Sequence, residues 1–252
     1  GRGTTSPNPM VGAVVVHNGI IIGEGYHQKA GEPHAEVMAI RSVQDQSMLK
    51  HSTLYCSLEP CAHYGKTPPC CELISSHGIP QVVIGTGDPH SKVDGKGVQH
   101  LRDHGIKVEF APSPFRFQKL NEVFWTNMTK NRPHFTLKWA ENASGHIDKN
   151  RAAEENPLSV SGPLASLRTH QLRASVDGIL ISSKTASFDS PSLTTRKWFG
   201  QDPTPIILLS RTHSLDLYWL SGLRVKPIII GEALPAGFTG INCDPKDLNQ
   251  WI

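Results

Sequence analysis

The sequence predicts an α/β protein of two domains, each with a sheet covered by helices. Short apolar segments that suit strands alternate with segments that suit helices, which is typical of strand–helix–strand units. The alternation is interrupted at Pro112-Ser113-Pro114 and begins again after Arg132-Pro133. The 252 residues, 38% of them apolar and 19% charged, suffice for two ordinary domains. We therefore predict one domain over residues 1–130 and a second over residues 131–252.

Apolar runs and the residues that end them assign the elements of the first half. Strands at 11–17 and 20–22 flank Asn18-Gly19, which is the strongest short signal for a hairpin. A helix is expected from about His34 to Ser42, because Pro33 suits a first helical turn. Further strands are predicted at 53–57, 81–85 and 106–110, helices at 71–77 and 98–104, and a helical connector at about 117–128.

The second half repeats the alternation with weaker signals. Strands are predicted at 134–138, 178–182, 206–210 and 227–230, with a helix at about 164–174. The sequence contains no internal repeat and no low-complexity tract.

Charge and composition narrow the class of function. The net charge is +3, and the sequence has no dense run of Lys and Arg. It therefore gives little sign of a nucleic-acid-binding surface, and a small anionic substrate suits the chain better. No apolar run approaches the roughly 20 residues of a membrane span, and no signal peptide leads the chain. Five cysteines without even spacing fit a reducing compartment. We expect a cytoplasmic protein that binds neither nucleic acid nor membrane.

Two separated motifs together form a candidate metal site. His34-Ala35-Glu36 offers an imidazole and a carboxylate, and Cys61 and Cys70 offer two thiolates. Three protein ligands leave a position open for water, as in catalytic zinc sites. We predict His34, Cys61 and Cys70 as ligands and Glu36 as the base. Cys71 is the alternative to Cys70, although as the first helical residue it is better suited to packing.

The spacing of the two cysteines departs from the known deaminase pattern. Zinc nucleobase deaminases carry H-x-E with P-C-x-x-C, and the Glu acts as acid and base without ligating the metal. Here eight residues separate Cys61 from Cys70, so an intervening loop must fold back to the metal. That loop carries His63 and Lys66, and Pro68-Pro69 stiffens its return. A stiff loop that bears a cation suits the capture of a phosphate group.

Short motifs in both halves resemble those of a known family, and the resemblance covers nearly the whole chain. The segments that carry the resemblance in the first half are Thr5–Val14 (TSPNPMVGAV), His34–Glu36, Leu58–Cys61, Thr67–Cys70 and Asp88-Pro89 before Gly95–Gly97; those in the second half are Leu137-Lys138, Leu172–Ala174, Asp177–Leu180, Thr185 and Asp189–Arg196. They are similar to the bifunctional deaminase/reductases of riboflavin biosynthesis, the RibD family.

The resemblance implies a fold and two reactions. It implies a cytidine-deaminase-like α/β/α domain followed by a dihydrofolate-reductase-like α/β domain that is incomplete at its C-terminal end. The first domain would use zinc to remove an amino group from a diaminopyrimidinone that carries a ribosylamino 5′-phosphate. The second would use NADPH to convert the ribosyl group to a ribityl chain. We also expect a homo-oligomer.

The resemblance also assigns roles to individual residues. His34, Cys61 and Cys70 would hold zinc, and Glu36 would move protons. Substrate contacts are implied for Asn8, His63 and Lys66 in the first domain and for Arg173, Leu193 and Arg196 in the second. The residues implied for the NADPH site are Ala140, Ser159, Thr185 and Asp189.

Several positions depart from the family pattern and keep alternatives open. Ser144 stands where the family generally carries Asp, Pro157–Ser161 lacks the usual Trp, and His90 stands where Asn is common. The chain is expected to begin past a first helix and to stop before a late strand that helps to hold NADPH. The alternatives are an active deaminase with a degenerate reductase half, a nucleoside or RNA deaminase, and a zinc-stabilised binding domain without catalysis.

Overall fold

The computed structural model describes residues 1–64, 68–90, 93–152, 155–209 and 215–242. The chain divides into two compact units, Gly1–Phe135 and Thr136–Ile252. Across the described ranges, no helix has both the length and the apolar character that a membrane span requires.

The first unit is built on a mixed five-stranded sheet. Its strands are β1 (Gly12–His17), β2 (Ile20–Tyr26), β3 (Thr53–Cys56), β4 (Gln81–Ile84) and β5 (Lys107–Phe110), in the order β2-β1-β3-β4-β5. β1 runs antiparallel to β2 and β3, whereas β3, β4 and β5 are parallel. Asn18 and Gly19 both have positive φ, 50° and 78°, as the tight turn of a twisted hairpin requires. The predicted hairpin is confirmed.

Three helices pack on one face of this sheet and form the core of the unit. They are α1 (Ala35–Ser42), α2 (Cys70–Ser76) and α3 (Lys96–Asp103), each within two residues of its predicted bounds. Val15, Leu54 and Val82 from the strands are fully buried against Ile40 and Leu101 from the helices. The carboxyl ends of parallel β3 and β4 and the start of α1 therefore lie at one edge of a packed core, where ligands bind in open α/β sheets.

The predicted helical connector is two helices, α4 (Phe115–Leu120) and α5 (Glu122–Lys130). The break falls at Asn121, which is 5% exposed. Its side-chain oxygen accepts from the backbone N–H of Met10, and its amide donates to the carbonyl of Met10, both at 2.8 Å. The helix is interrupted because Asn121 pairs with a distant backbone segment in place of its own helix.

The second unit contains a four-stranded parallel sheet in the order β6-β7-β8-β9. The strands are β6 (Gly178–Ser182), β7 (Thr204–Leu208), β8 (Ile228–Gly231) and β9 (Thr239–Asn242); the helices are α6 (Pro163–Arg173), α7 (Ser183–Asp189) and α8 (Leu217–Ser221). Among the described residues, Leu193, Ile207, Leu220 and Ile229 form its small buried core. The predictions for β6, β7, β8 and α6 are confirmed within two residues, whereas α7, α8 and β9 were not predicted.

The predicted strand at 134–138 is wrong, since this segment is irregular. Phe135, Leu137 and Trp139 alternate as in a strand with one buried face, yet they are 59%, 82% and 63% exposed. A strand needs a neighbouring backbone to pair with, and within the described part of the chain no ladder includes these residues. Alternating apolar residues describe only the side chains of a segment. They do not indicate whether a neighbouring strand is present for it to pair with.

Candidate functional site

The starts of two helices and the loop after β3 bring the predicted metal ligands together. His34 is the N-cap of α1 in an extended conformation, and Cys70 is the first residue of α2. Cys61 follows β3 by five residues. One ligand atom from each of these three residues lies within 4.8 Å of the other two. The polypeptide thus gathers an imidazole and two thiols from segments that are far apart in sequence.

The distances between these atoms fit a zinc ion. His34 Nδ1 lies 3.5 Å from Cys61 Sγ and 3.3 Å from Cys70 Sγ. Tetrahedral zinc, with bonds of about 2.0 Å to nitrogen and 2.3 Å to sulfur, sets its nitrogen and sulfur ligands about 3.6 Å apart. Three ligands in this arrangement leave the fourth position of a tetrahedral ion open.

The same three residues interact strongly as acids and bases. Hydrogen bonds from Cys70 and His34 lower the pKa of Cys61 to about 4. The hydrogen bond with Cys61 raises the pKa of His34, and the bond to Cys61 together with burial raises the pKa of Cys70. The site therefore favours a thiolate at Cys61 beside a protonated thiol at Cys70. Metal binding has to remove the remaining protons, so zinc affinity falls at low pH.

Glu36 lies beside the ligands in the first turn of α1 and is 3% exposed. Burial raises the pKa of its carboxyl to about 7. A carboxyl group with a pKa near the working pH can both accept and release a proton, which suits a general base that later acts as an acid. Its oxygens do not belong to the three-atom ligand cluster.

Cys71, the alternative ligand, has a different environment. Its backbone N–H donates to the carbonyl of Cys61 at 3.2 Å, and its side chain is buried in the core cluster. Burial raises the pKa of its thiol to about 11. The thiol beside His34 is that of Cys70.

A buried histidine orients Asn8, one of the predicted substrate contacts. His27 is 3% exposed; its Nδ1 lies 3.2 Å from the carbonyl of Pro33, and its Nε2 lies 3.2 Å from Asn8 Nδ2. Because a carbonyl only accepts, Nδ1 carries the proton and Nε2 accepts from the amide of Asn8. The carbonyl oxygen of Asn8 is thereby presented as an acceptor. No sequence signal distinguished His27 from the other histidines.

The loop after β4 meets the loop between the cysteines. His63 stacks on His90 with ring centroids 6.5 Å apart. Asp88 accepts from the backbone N–H of His90 at 2.8 Å. Burial raises the pKa of Asp88, while that N–H and the nearby His63 ring act in the opposite direction. Lys66 lies outside the described residues.

In the second unit, three predicted substrate contacts gather around one turn. Arg173 donates to the carbonyl of Thr194 at 3.0 Å, and Arg196 donates to the hydroxyl of Ser192 at 2.7 Å. Leu193, in between, is buried with a φ of 50°. Burial and the charge of Arg196 lower the pKa of Arg173. The buried Arg173 Nε and His170 Nδ1 have no hydrogen-bond partner among the described residues. Such a cluster of donors suits an anion.

The predicted cofactor residues lie at more exposed positions. Thr185 and Asp189 are one turn apart on α7 and both are exposed. The carboxylate of Asp189 pairs with Arg151, whose guanidinium also binds Asp148 at 2.8 Å. Asp148 accepts in turn from the N–H of Leu158 at 3.0 Å, which holds the segment of Ser159 in this network. Ala140 lies in the irregular segment before α6 and is partly buried.

Comparison with known proteins gives matches over both units. Residues 1–86 match the cytidine and deoxycytidylate deaminase zinc-binding region, and residues 133–233 match the RibD C-terminal domain. The riboflavin biosynthesis protein RibD of Aquifex aeolicus is 43% identical over 77% of this chain and 53% of its own length. The RibD protein of Escherichia coli is 40% identical over 78% of this chain and 52% of its own length. The chain thus spans about half the length of the curated relatives it matches.

A solved structure gives the same match in three dimensions. It is a diaminohydroxyphosphoribosylaminopyrimidine deaminase/5-amino-6-(5-phosphoribosylamino)uracil reductase from Thermotoga maritima. The TM-score is 0.85 at 36% identity, and the match covers 100% of this chain and 72% of the other.

Proposed function

The chain belongs to the RibD family of bifunctional deaminase/reductases of riboflavin biosynthesis, and from this premise we propose that residues 1–130 form a zinc-dependent deaminase. Its substrate would be a diaminopyrimidinone that carries a ribosylamino 5′-phosphate. The observation that carries the proposal is the meeting of His34 Nδ1, Cys61 Sγ and Cys70 Sγ within 4.8 Å of one another. The buried carboxyl group of Glu36 beside them supplies the acid and base that hydrolysis requires.

The protein residues would divide the work of hydrolysis. When bound, zinc would supply the Lewis acid that activates water for attack on the amidine carbon. The carboxylate of Glu36 would accept the proton that the water loses. The same carboxyl group would then donate the proton to the departing amino group, so that water is consumed and ammonia released. A pKa of about 7 suits both transfers near neutral pH.

Substrate recognition would use groups around the metal site. Asn8 would accept a hydrogen bond from the pyrimidine through the carbonyl oxygen that His27 leaves open. His63 and Lys66, on the loop between the two cysteines, would contact the ribosyl phosphate. A cation on this loop complements the phosphate charge.

For residues 131–252 we propose an NADPH-dependent reductase that converts the ribosyl group to a ribityl chain by hydride transfer. Arg173, Leu193 and Arg196 would hold the phosphorylated substrate. The buried Arg173 Nε, which has no hydrogen-bond partner among the described residues, supports an anion there. The proposed NADPH residues are Ala140, Ser159, Thr185 and Asp189. The Arg151 network links the segment of Ser159 to Asp189.

One experiment tests both halves and separates them. The zinc-loaded full chain is given the phosphorylated diaminopyrimidinone with and without NADPH, and ammonia release and NADPH consumption are recorded independently. Ammonia release without NADPH consumption would support the deaminase proposal and contradict the reductase proposal. Faster release from cytidine, deoxycytidylate or an RNA stem-loop would contradict the proposed substrate. Sedimentation of the same protein tests the predicted homo-oligomer.

A further inference from the structure

Glu59 is a buried carboxylate that takes no part in the metal chemistry. It lies next to Pro60-Cys61, which we call the metal loop. It is 4% exposed and precedes Pro60 and the ligand Cys61 in sequence. One carboxylate oxygen accepts from the backbone N–H groups of Asp88 at 3.3 Å and Gly95 at 3.2 Å. The other accepts from the N–H of Val98 at 3.1 Å. A buried charge with this set of donors is well compensated, because hydrogen bonds to ionised groups are the strong ones.

Two of these donors, the N–H groups of Gly95 and Val98, lie at the start of α3. The N-cap of α3 is Gly95, at a φ of 82°, and glycine has no side chain that could cap the helix. Glu59 therefore caps α3 from a different part of the chain, and its negative charge complements the positive end of the helix dipole. The backbone N–H of Glu59 also donates to the carbonyl of Thr86 at 3.0 Å. Main chain and side chain of Glu59 together hold the described residues 86–90 and 93–98, through contacts with Thr86, Asp88, Gly95 and Val98.

The fit between this segment and the metal loop is close. A Cβ atom added to Gly97 would overlap the carbonyl oxygen of Pro60 and lie 3.2 Å from a Glu59 oxygen. One added to Gly87 would lie 3.6 Å from the other Glu59 oxygen. The start of α3 thus rests directly on the backbone beside Cys61, and only glycine allows this approach at residue 97.

The held segment carries groups that face the loop between the cysteines. His90 stacks on His63, and Asp88 accepts from the backbone N–H of His90 at 2.8 Å. From this geometry we propose that Glu59 is a positioning residue of the deaminase. It fixes residues 86–90 and 93–98 against the metal loop and so sets the affinity for substrate, while the metal ligands and Glu36 do the chemistry. This inference rests on the proposed deaminase function.

The test is Glu59→Gln in the full zinc-loaded chain. The amide keeps one acceptor but turns an N–H toward backbone N–H groups. We expect faster hydrogen exchange at the amides of Asp88, Gly95 and Val98 and unchanged exchange in α1. We expect unchanged zinc content, a KM for the phosphorylated pyrimidine raised roughly tenfold, and kcat within about twofold of the parent, because the hydrogen bonds lost hold the segment whose His90 stacks on His63, a proposed substrate contact.

Two further variants keep the test decisive. Glu109→Gln is the matched control, because Glu109 forms an exposed ion pair with Lys107 on β5 and its loss should change neither KM nor exchange at α3. Gly97→Ala displaces the start of α3 from Pro60 and crowds one Glu59 oxygen while the carboxylate itself is kept, and it should reproduce the rise in KM. It also serves if the Glu59 variant does not fold.

The outcomes separate this inference from the proposed function. If the parent chain releases no ammonia, the deaminase proposal fails, whatever the exchange rates. If the parent is active but both variants lower kcat with KM unchanged, or lose zinc, Glu59 supports the metal site and the inference is overturned. Unchanged exchange at Gly95 and Val98 would also overturn it.

Discussion

The candidate sites of the two units differ in how deeply the core holds them. In the first unit, Glu36 and Glu59 are buried at 3% and 4% exposure, and each has a defined place beside the metal ligands. In the second unit, Thr185, Asp189 and Arg196 are exposed. The first core contains many fully buried side chains from strands and helices, whereas the buried cluster of the second contains four. A large core preorganises groups that need a low-dielectric setting, and a small one leaves charged groups in networks at the surface.

The largest effect should come from the most deeply held group. Glu36→Gln preserves shape but removes the proton acceptor, so kcat for ammonia release should fall roughly 100- to 10,000-fold. Zinc content should not change, because Glu36 is outside the ligand cluster. Metal analysis and steady-state kinetics measure the two effects. Glu32→Gln, at an exposed position before α1, is the matched control and should behave as the parent. Undiminished turnover in Glu36→Gln would remove the proposed mechanism.

The two adjacent cysteines give the next largest contrast. Cys70→Ser should weaken zinc binding by more than about 100-fold, because losing a ligand costs more than losing the groups that support one. Cys71→Ser should keep zinc but lower the free energy of unfolding by about 1–3 kcal/mol, because it places a hydroxyl in the core. Competition with a chromophoric chelator measures the first effect and urea unfolding the second. Zinc loss in the Cys71 variant alone would reverse the assignment.

In the second unit, substitutions at the proposed site should change the affinity for the phosphorylated substrate. Arg173→Lys keeps the charge but loses the planar fork, so the KM for the phosphorylated substrate in NADPH consumption should rise roughly tenfold. Arg168→Lys, on the exposed side of the same helix, is the matched control and should leave KM unchanged. If the two variants have the same KM, Arg173 is structural and its bond to Thr194 is its whole role.

The smallest effect concerns acid stability of the second unit. Hydrogen bonds from the backbone N–H of Leu158 and from Arg151 lower the pKa of Asp148 to about 2. A depressed pKa stabilises the folded state above the unfolded value of about 3.9, and this stability is lost as the pH falls toward about 2. Asp148→Asn should therefore unfold at lower urea than the parent at pH 5, and the difference should shrink at pH 3. Hydrogen exchange of the β7 amides measures the unfolding of this unit. If the difference in stability between Asp148→Asn and the parent is the same at pH 5 and pH 3, the prediction is contradicted.

Much of the fold was predictable because its signals are local. Asn18-Gly19 defines a hairpin turn, and Gly78 and Gly105, both at positive φ, follow the ends of α2 and α3. The strand predicted at 134–138 failed because side-chain alternation indicates a strand only where a partner backbone is present. β9 was missed because Thr239–Asn242 is short and fully exposed, so it carries no apolar pattern.

The metal-site residues could be predicted because few motifs combine these residue types at this spacing, and the structure brings them together. Glu59 and His27, which support the site, were given no role by the sequence. Glu59 reads as an ordinary polar residue before Pro60, and its donors are 29 to 39 residues away. His27 is one histidine among 13, and only its contacts with Asn8 and Pro33 distinguish it. These partners are joined by hydrogen bonds between residues that are far apart in sequence, and no local sequence pattern predicts such bonds.

The sequence by itself determined the chemistry that the chain can support: an imidazole, two thiols and a carboxyl group at family spacing, on an alternating α/β framework. Only the tertiary structure decided which thiol lies beside His34, that Asn121 divides the connector, and that Glu59 caps α3. The physical reason is burial. Removing a charge or an amide from water is costly unless partners are supplied, and which partners are within reach depends on how the whole chain packs.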